Sequence, residues 1–258
     1  MTSHPIEIAL RIPGTWASQE ELAQALPSGC KLSGNSLILA DGSQVALYVR
    51  PRDGQFVDVF KTSSRLEPSG QESKSLRNYH LQVCLVGPGG SMQSASNMMR
   101  SAIPILKGGG AGVFVDNSAL SFGASHWCQM AGFCDTDALT FGFVNIINNK
   151  QDAYTVGMQV LGQPDLIMPA KSAGYESSVI IALMLKTATW GHTFDEGHKI
   201  DLPSGRFFRV HKIPDDKSRV GSPMHNPWGR LELSCDRSET LVYKSLSQRN
   251  SIRNKLRL

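Results

Sequence analysis

The chain has 258 residues, a formal net charge of +4, 41% hydrophobic residues and 19% charged residues. These values exclude an intrinsically disordered chain, which has few apolar residues and a large net charge. The 24 glycines follow no period and only 5 cysteines are present, so collagen-like proteins and disulfide scaffolds are excluded as well.

The first 60 residues predict a β-α-β-β-β lobe. Ile6–Ile12 alternates apolar and polar side chains, which is typical of a half-buried strand. Ser18 and Glu21 have the spacing of a capping box, which marks the start of a helix. Asp-Gly pairs, which favour tight hairpin turns, separate the runs that follow. Three strands are predicted there, at Ser36–Ala40, Gln44–Val49 and Gln55–Phe60.

Residues 61–79 are polar and rich in serine, which predicts a linker or surface segment before a main domain at 80–247 and a basic tail at 248–258. The main domain opens with a predicted β-α-β crossover unit at about 80–116. Its strands are His80–Val86 and Val113–Asp116, and a helix with one apolar stripe lies between them. Pro104 predicts that this helix kinks or ends.

The rest of the main domain mixes strands and helices. Two helices are predicted, at Ser125–Ala131 and Tyr175–Trp190. The predicted strands are Ala138–Asn148, Tyr154–Val160, Asp165–Met168, Lys199–Leu202, Arg206–Ile213 and Arg230–Ser234. This order favours an α+β fold in two layers, with helices packed on a mixed or antiparallel sheet. One domain and two domains are both compatible with it.

The loop Gly87-Pro-Gly-Gly-Ser91 joins a strand to a helix, where phosphate-binding loops lie. The dinucleotide fingerprint G-x-G-x-x-G fails at Met92, and the Gly-Lys-Ser/Thr of a P-loop is missing. We therefore predict a structural turn here and expect no cofactor.

No segment combines a nucleophile, a base and oxyanion donors, so we favour a non-catalytic binding or interaction module whose partner is another protein or a small ligand. Ligands collect at strand ends in α/β sheets, and tryptophan is common at recognition surfaces. We expect the binding surface at Asp116, Asn117, Ser118, His126 and Trp127. Because Asx and Ser at strand ends also make turns, a structural role for Asp116–Ser118 stays open.

The alternative function is a metal-assisted hydrolase. Its residues are His192, Asp195, Glu196 and His198. Helical zinc hydrolases need two histidines four residues apart, and here the spacing is six. A strand-turn geometry would still bring His192, Asp195 and His198 to one ion, whereas a helix exit followed by a turn gives them no common role.

The charge surplus lies in the C-terminal tail, which carries Arg249, Arg253, Lys255 and Arg257 and no acid from residue 249 onward. This pattern predicts a solvated terminus, and nucleic-acid contact stays open for the tail alone. The N-terminus lacks the features of a secretory signal, and no apolar run has the roughly 20 residues of a membrane helix. We therefore expect a soluble, reduced, cytoplasmic protein without membrane contact.

Two segments carry a family resemblance. They are Ala111-Gly-Val-Phe-Val-Asp116, at the end of the crossover unit, and the run from Tyr154 to Met168, which contains Gly162-Gln-Pro-Asp-Leu166. On these residues the stretch from Leu81 to Ile213 resembles the bacterial family called domain of unknown function 4261. The resemblance implies an α+β fold and supplies no activity, cofactor or catalytic residue.

Overall fold

The computed structural model describes residues 5–169, 181, 184–186, 189, 191–201 and 207–235. The helix predicted at 175–190 falls largely outside these residues, although the described positions Ile181, Met184–Lys186 and Thr189 are helical. The basic tail with Arg249, Arg253, Lys255 and Arg257 lies entirely outside the described residues.

Besides the helical positions between 181 and 189, thirteen strands and seven α-helices have both of their ends among the described residues. The strands are β1 (Glu7–Gly14), β2 (Lys31–Ser33), β3 (Ser36–Ile38), β4 (Gln44–Pro51), β5 (Leu81–Pro88), β6 (Gly112–Val115), β7 (Leu120–Gly123), β8 (Asn145–Asn148), β9 (Asp152–Val156), β10 (Asp165–Pro169), β11 (Lys199–Asp201), β12 (Phe207–Ile213) and β13 (Arg230–Cys235). The helices are α1 (Gln19–Ala25), α2 (Phe56–Thr62), α3 (Gly70–Arg77), α4 (Met92–Ser101), α5 (Ile103–Lys107), α6 (Ala124–Phe133) and α7 (Thr136–Phe143).

Seven strands form the first sheet, in the order β2-β3-β4-β5-β1-β6-β7, with every neighbouring pair antiparallel. Because β1 runs antiparallel to both β5 and β6, those two strands are parallel to each other. The predicted crossover unit is therefore present, with α4 and α5 as its connection, but β1 is inserted between its strands. One sheet thus contains strands from both sides of the predicted 61–79 boundary, and the division into domains stays a prediction.

Six strands form the second sheet, in the order β11-β12-β13-β10-β9-β8. The β10–β13 pair is parallel and the other neighbouring pairs are antiparallel. A 3-10 turn at Met158–Leu161 packs on α4 and α7 and so connects the second sheet to the helices of the first. One hydrophobic core, with Leu10, Met99, Leu166 and Phe208 among its buried members, is continuous across both sheets. The α+β class is confirmed, with two sheets rather than one.

The strand predicted at Gln55–Phe60 is wrong, because this segment is helix α2. The Asp53 carboxylate accepts a hydrogen bond from Gln55 N at 2.9 Å and turns the chain into the helix. Phe56 and Phe60 then lie one helical turn apart and pack together beside Tyr79. Residues four apart lie on the same face in a helix and also in a strand, so the spacing of the two phenylalanines does not distinguish the two structures.

The long strand predicted at Ala138–Asn148 is wrong over its first half. Asp135 caps helix α7 by accepting a hydrogen bond from Ala138 N at 2.8 Å, and β8 begins only at Asn145. The helical break predicted near Pro104 is confirmed: α4 ends at Ser101, and Pro104 lies in the first turn of α5.

A short helix, α3, lies inside the polar segment 61–79 and connects two parts of the molecule. Ser69 and Glu72 form a complete capping box at its start. The other carboxylate oxygen of Glu72 accepts hydrogen bonds from both the backbone N–H and the hydroxyl of Ser125, each at 2.8 Å. One side chain therefore holds the first turns of α3 and α6 together.

Candidate functional site

The predicted strand-end residues make structural contacts. Asp116 pairs with Arg11 through Nε at 2.8 Å. Asn117 is 1% exposed; its side chain accepts a hydrogen bond from Ala9 N and donates to the carbonyl of Pro223 at 3.0 Å. Ser118 is equally buried. Asn117 therefore fastens β1 to the segment around Pro223 and has almost no surface to offer a partner.

Trp127 is also part of the interior. Its side chain is wholly buried, its indole N–H donates to the carbonyl of Met99 at 3.0 Å, and its ring packs against Phe122 and Phe143. His126 is half-buried, and its Nδ1 is buried without a hydrogen-bond partner. Trp127 thus belongs to the core rather than to a recognition surface.

The four residues of the predicted metal cluster, His192, Asp195, Glu196 and His198, are all exposed. The Glu196 carboxylate accepts hydrogen bonds from the His211 ring at 2.9 Å and from Lys212 N at 2.7 Å, and these bonds lower its pKa. Asp195 pairs with the Lys212 ammonium at 3.2 Å. Among the described residues, no three His, Cys, Asp or Glu side chains form a group able to hold a metal ion.

The most tightly organised polar site is the loop at residues 214–229, between β12 and β13, which we call the anchored loop. It is longer than most connections in compact domains and contains a 3-10 turn at Lys217–Arg219. Both sheets hold it at Pro223. The carbonyl of Pro223 accepts one hydrogen bond from Asn117, after β6, and one at 2.9 Å from Gln159, after β9.

Asn226, which is 1% exposed, is the centre of the site. Its side-chain amide donates to the carbonyl of Gln163 at 2.9 Å and to the Asp165 carboxylate at 3.1 Å. Its backbone N–H donates to the Asp215 carboxylate at 2.8 Å, and its side-chain oxygen accepts from Trp228 N at 3.1 Å. One asparagine therefore joins two buried carboxylates and fixes the backbone that carries Trp228.

Three cation-capable side chains surround Asp215, whose side chain is 1% exposed. The Arg230 Nε donates to it at 2.8 Å and the His225 Nδ1 lies 3.1 Å away. A nitrogen of Arg219 lies at 3.9 Å, and the Arg219 guanidinium stacks over Tyr154. The anchored loop is thus held to β13 by a charged hydrogen bond and to β9 by the stacking of Arg219 on Tyr154.

Trp228 lies at the surface end of this network and is 46% exposed. Its ring lies beside Gly90, in the loop before α4, and a Cβ on Gly90 would be in van der Waals contact with the ring at 3.4 Å. The next residue, Gly229, has a φ of 76°, and a Cβ there would overlap the carbonyl oxygen of Ile213. The backbone on both sides of Trp228 is therefore constrained.

The two carboxylates have opposite pKa shifts. Burial raises the pKa of Asp165 to about 7, although Asn226, Met158 N and Thr155 all donate hydrogen bonds to it. Burial also opposes ionisation of Asp215, but the hydrogen bonds from Asn226 N and Arg230 outweigh it and lower that pKa. Near neutral pH, Asp215 is ionised while Asp165 titrates.

Sequence analysis missed this site, although two signals point to it. Asp165 is an isolated acid at the start of an apolar strand, where a buried charge needs partners from elsewhere in the chain. The segment 214–229 contains an Asp-Asp pair and a tryptophan within a loop rich in Pro and Gly. Two arginines, Arg219 and Arg230, are close enough in sequence to pair with the aspartates. No fixed spacing connects residues 165 and 226, so only the fold brings them together.

Comparison of the chain with protein-family models, curated proteins and solved structures gave no match. Among the described residues, no helix has both the length and the apolar character needed to cross a bilayer. Cys30, Cys84, Cys128 and Cys134 are free thiols. The functional argument therefore depends on the geometry of the site.

Replacing Trp127 with alanine tests its place in the core. We expect Trp127→Ala to lower the free energy of unfolding by about 3–5 kcal/mol, because a large buried ring and its hydrogen bond to Met99 are lost. Phe133→Ala, at a side chain that is 70% exposed, is the control and should change it by less than about 0.5 kcal/mol. Urea unfolding of both variants checks this, and equal small losses would contradict the core assignment.

Replacing Asp165 with asparagine tests the raised pKa. Because the folded-state pKa is about 7 and the ordinary value is 3.8, the folded protein keeps a proton that the unfolded chain has lost. The stabilisation from that proton is complete below about pH 4 and disappears as the pH rises through 7. Relative to Asp165→Asn, the wild type should lose about 3 kcal/mol of unfolding free energy between pH 5 and pH 8.

The control for this experiment is Asp216→Asn. Hydrogen bonds from Ser218 lower the pKa of the exposed Asp216, so its removal should leave the wild-type pH dependence between pH 5 and pH 8 intact. Denaturant unfolding at several pH values supplies the measurement. Parallel profiles for the wild type and Asp165→Asn would show that Asp165 does not titrate in this range.

Proposed function

We propose that this protein is a non-catalytic binding module that recognises a partner protein through the anchored loop. The observation that carries the proposal is a half-exposed tryptophan, Trp228, on a loop whose backbone is fixed by buried hydrogen bonds. Tryptophan is among the residues most enriched at the energetic centres of protein interfaces.

The cost of the network supports a role for the loop conformation itself. Burying a carboxylate costs several kcal/mol unless it is paired, and Asp165 and Asp215 are both buried. A loop that needed only to connect β12 to β13 would be served by a short hairpin without buried charge. Holding Trp228 in one position lowers the ordering entropy that binding would otherwise cost.

The surface of the loop has the composition of a small interface. Val220 is 67% exposed and Trp228 is 46% exposed, which places two large apolar side chains in water. Asp216, Lys217 and Ser218 are exposed polar neighbours on the same loop. Interfaces commonly have this arrangement, with apolar anchors surrounded by a polar rim.

The geometry favours binding over hydrolysis. The Asp215–His225 pair is the part of the site closest to catalytic machinery, because a carboxylate that orients an imidazole is two-thirds of a hydrolytic triad. Among the described residues, no serine, threonine or cysteine is hydrogen-bonded to the other nitrogen of His225. The hydrogen bonds of Asp215 to Arg230 and Asn226 N are those of a structural anion.

Two further assignments belong to the same proposal. Membership of the domain of unknown function 4261 family is compatible with the α+β class and receives no support from the comparisons. A cytoplasmic location is proposed because the described cysteines are free thiols, as in a reducing compartment.

Replacing Trp228 with alanine tests the proposal. The protein is immobilised, its partner is captured from a native lysate, and the affinity of the purified partner for each variant is then measured. Trp228→Ala should weaken binding at least 30-fold, because a central aromatic anchor is worth about 2 kcal/mol or more. It should keep the fold, because the ring is only about half-buried.

Phe133→Ala is the matched control, since it removes an exposed aromatic ring at the C-terminus of α6, outside the anchored loop. It should leave the affinity unchanged. A partner that binds wild type and Trp228→Ala equally well, or the recovery of no partner at all, would contradict the proposed function.

A further inference from the structure

The first sheet has a second face, opposite the core, that carries a separate polar cluster. The cross-strand pairs Arg11–Cys84 and Cys84–Tyr48 place these three side chains in one row on that face. Arg50 and Gln82 form the next row, two residues further along their strands. Helices α2 and α3 pack on the part of this face near β1 and β7. Tyr48 and Arg50, on β4, remain exposed.

Gln82 is the unusual member of the cluster. Its side chain is 3% exposed, and its Nε2 is buried with no hydrogen-bond partner. A buried donor without a partner costs about 1–3 kcal/mol and is rare in native proteins. An apolar side chain at this position would avoid that free-energy cost. The presence of the amide therefore points to a hydrogen-bond partner from outside the chain.

The charged neighbours of Gln82 indicate which kind of ligand the cluster would fit. Asp116 is the acceptor on this face, and Arg11 Nε already satisfies it at 2.8 Å. Within the described part of the chain, no hydrogen bond or ion pair engages the Arg50 guanidinium, which is the cross-strand neighbour of Gln82. Burial raises the pKa values of Asp116 and Cys84, and the positive charge of Arg50 offsets part of that rise. Unused donors therefore remain on Gln82 and Arg50, and a ligand that satisfies them must be an acceptor.

We propose that Arg50 and Gln82 form a binding site for a small molecule that carries an oxyanion, either phosphate or carboxylate. The oxyanion accepts from the exposed Arg50 guanidinium and from the Gln82 amide, which turns outward toward Arg50 on binding because its Nε2 is otherwise buried. Arg11, which stays paired with Asp116, lies beside the site. Tyr48, which is 48% exposed and lies in the row of Arg11 and Cys84, flanks the bound group with an aromatic ring. This site uses none of the residues of the anchored loop and does not depend on the proposed function.

The number of cations favours a small ligand over a nucleic acid. Proteins that bind nucleic acids neutralise several phosphates at once, typically with about 6–10 contacts. Of the described guanidinium groups on this face, Arg11 is already paired with Asp116 and Arg52 stacks on Tyr79, which leaves Arg50 unengaged. The exposed Glu7 lies at the end of the same strand as Arg11. The small number of available positive charges on this face is enough for a single oxyanion.

The test is a titration of the full-length protein with inorganic phosphate, citrate and adenosine monophosphate at constant ionic strength. It is followed through the Gln82 side-chain amide in ¹⁵N-correlated NMR spectra. Phosphate and citrate distinguish the two oxyanion classes, and the nucleotide tests the contribution of Tyr48. At least one probe should shift the Gln82 amide resonance saturably. Tyr48→Ala should abolish any preference for the nucleotide over inorganic phosphate.

Two variants separate binding from folding. Gln82→Leu should weaken binding of that probe at least tenfold while raising the melting temperature by about 2–4 °C, because the unpaired buried donor is gone. Arg50→Met should weaken binding to a similar extent. Arg100→Met removes the same charge from an exposed position on α4, away from the site, and should not change binding.

The combination of weaker binding with higher stability is the signature of a group retained for a ligand, and a structural glutamine would not give it. A Gln82→Leu variant that melts at a lower temperature and binds the probes as the wild type does would overturn the proposal. So would the absence of a saturable shift with all three probes.

Discussion

The hydrogen bonds of Asn226 to Asp165 and Asp215 are the interaction on which the second half of the molecule depends. The side-chain amide serves one carboxylate and the backbone N–H serves the other. A buried carboxylate that loses its partner costs far more than a neutral hydrogen bond contributes, so the consequences of losing this bridge are large. The bridge makes the conformation of the anchored loop inseparable from the packing of β10 and β13.

The anchored loop also depends on the connection between the two sheets. The carbonyl of Pro223 receives one donor from Asn117, at the end of the β6 strand, and another from Gln159, in the turn that packs on α4 and α7. Trp228 lies against Gly90, which precedes α4 and follows β5. The binding surface proposed for this loop would therefore be held by both sheets, and a rigid aromatic anchor lowers the entropy cost of binding.

Local sequence signals predicted the elements whose structure is locally determined. The alternation in β1, the cap at Ser18 and the break near Pro104 each depend on contacts within a few residues. The segment at Gln55–Phe60 shows where such signals fail, because its apolar residues fit a strand or a helix equally well. Its helical form is selected by the Asp53 turn and by packing on Tyr79, a residue that lies beyond the next helix.

The residues of the candidate site were harder to predict, because burial and long-range pairing are not visible in one sequence. Trp127 follows His126 and Trp228 follows Pro227, and neither neighbour reveals that the first ring is core and the second is half-exposed. Asn117 was expected to bind a ligand and instead binds a carbonyl of its own chain at Pro223. The Asp165–Asn226 contact spans 61 residues, and only the parallel pairing of β10 with β13 brings the two side chains together.

Native-state hydrogen exchange tests the rigidity of the anchored loop most directly. The account predicts that the backbone N–H groups of Asn226 and Trp228, which donate to Asp215 and to the Asn226 side chain, exchange as slowly as the amides of β10 and β13. Exchange of these two amides at the rate of an unstructured loop, while β10 and β13 remain protected, would show that the carboxylate network does not fix the loop.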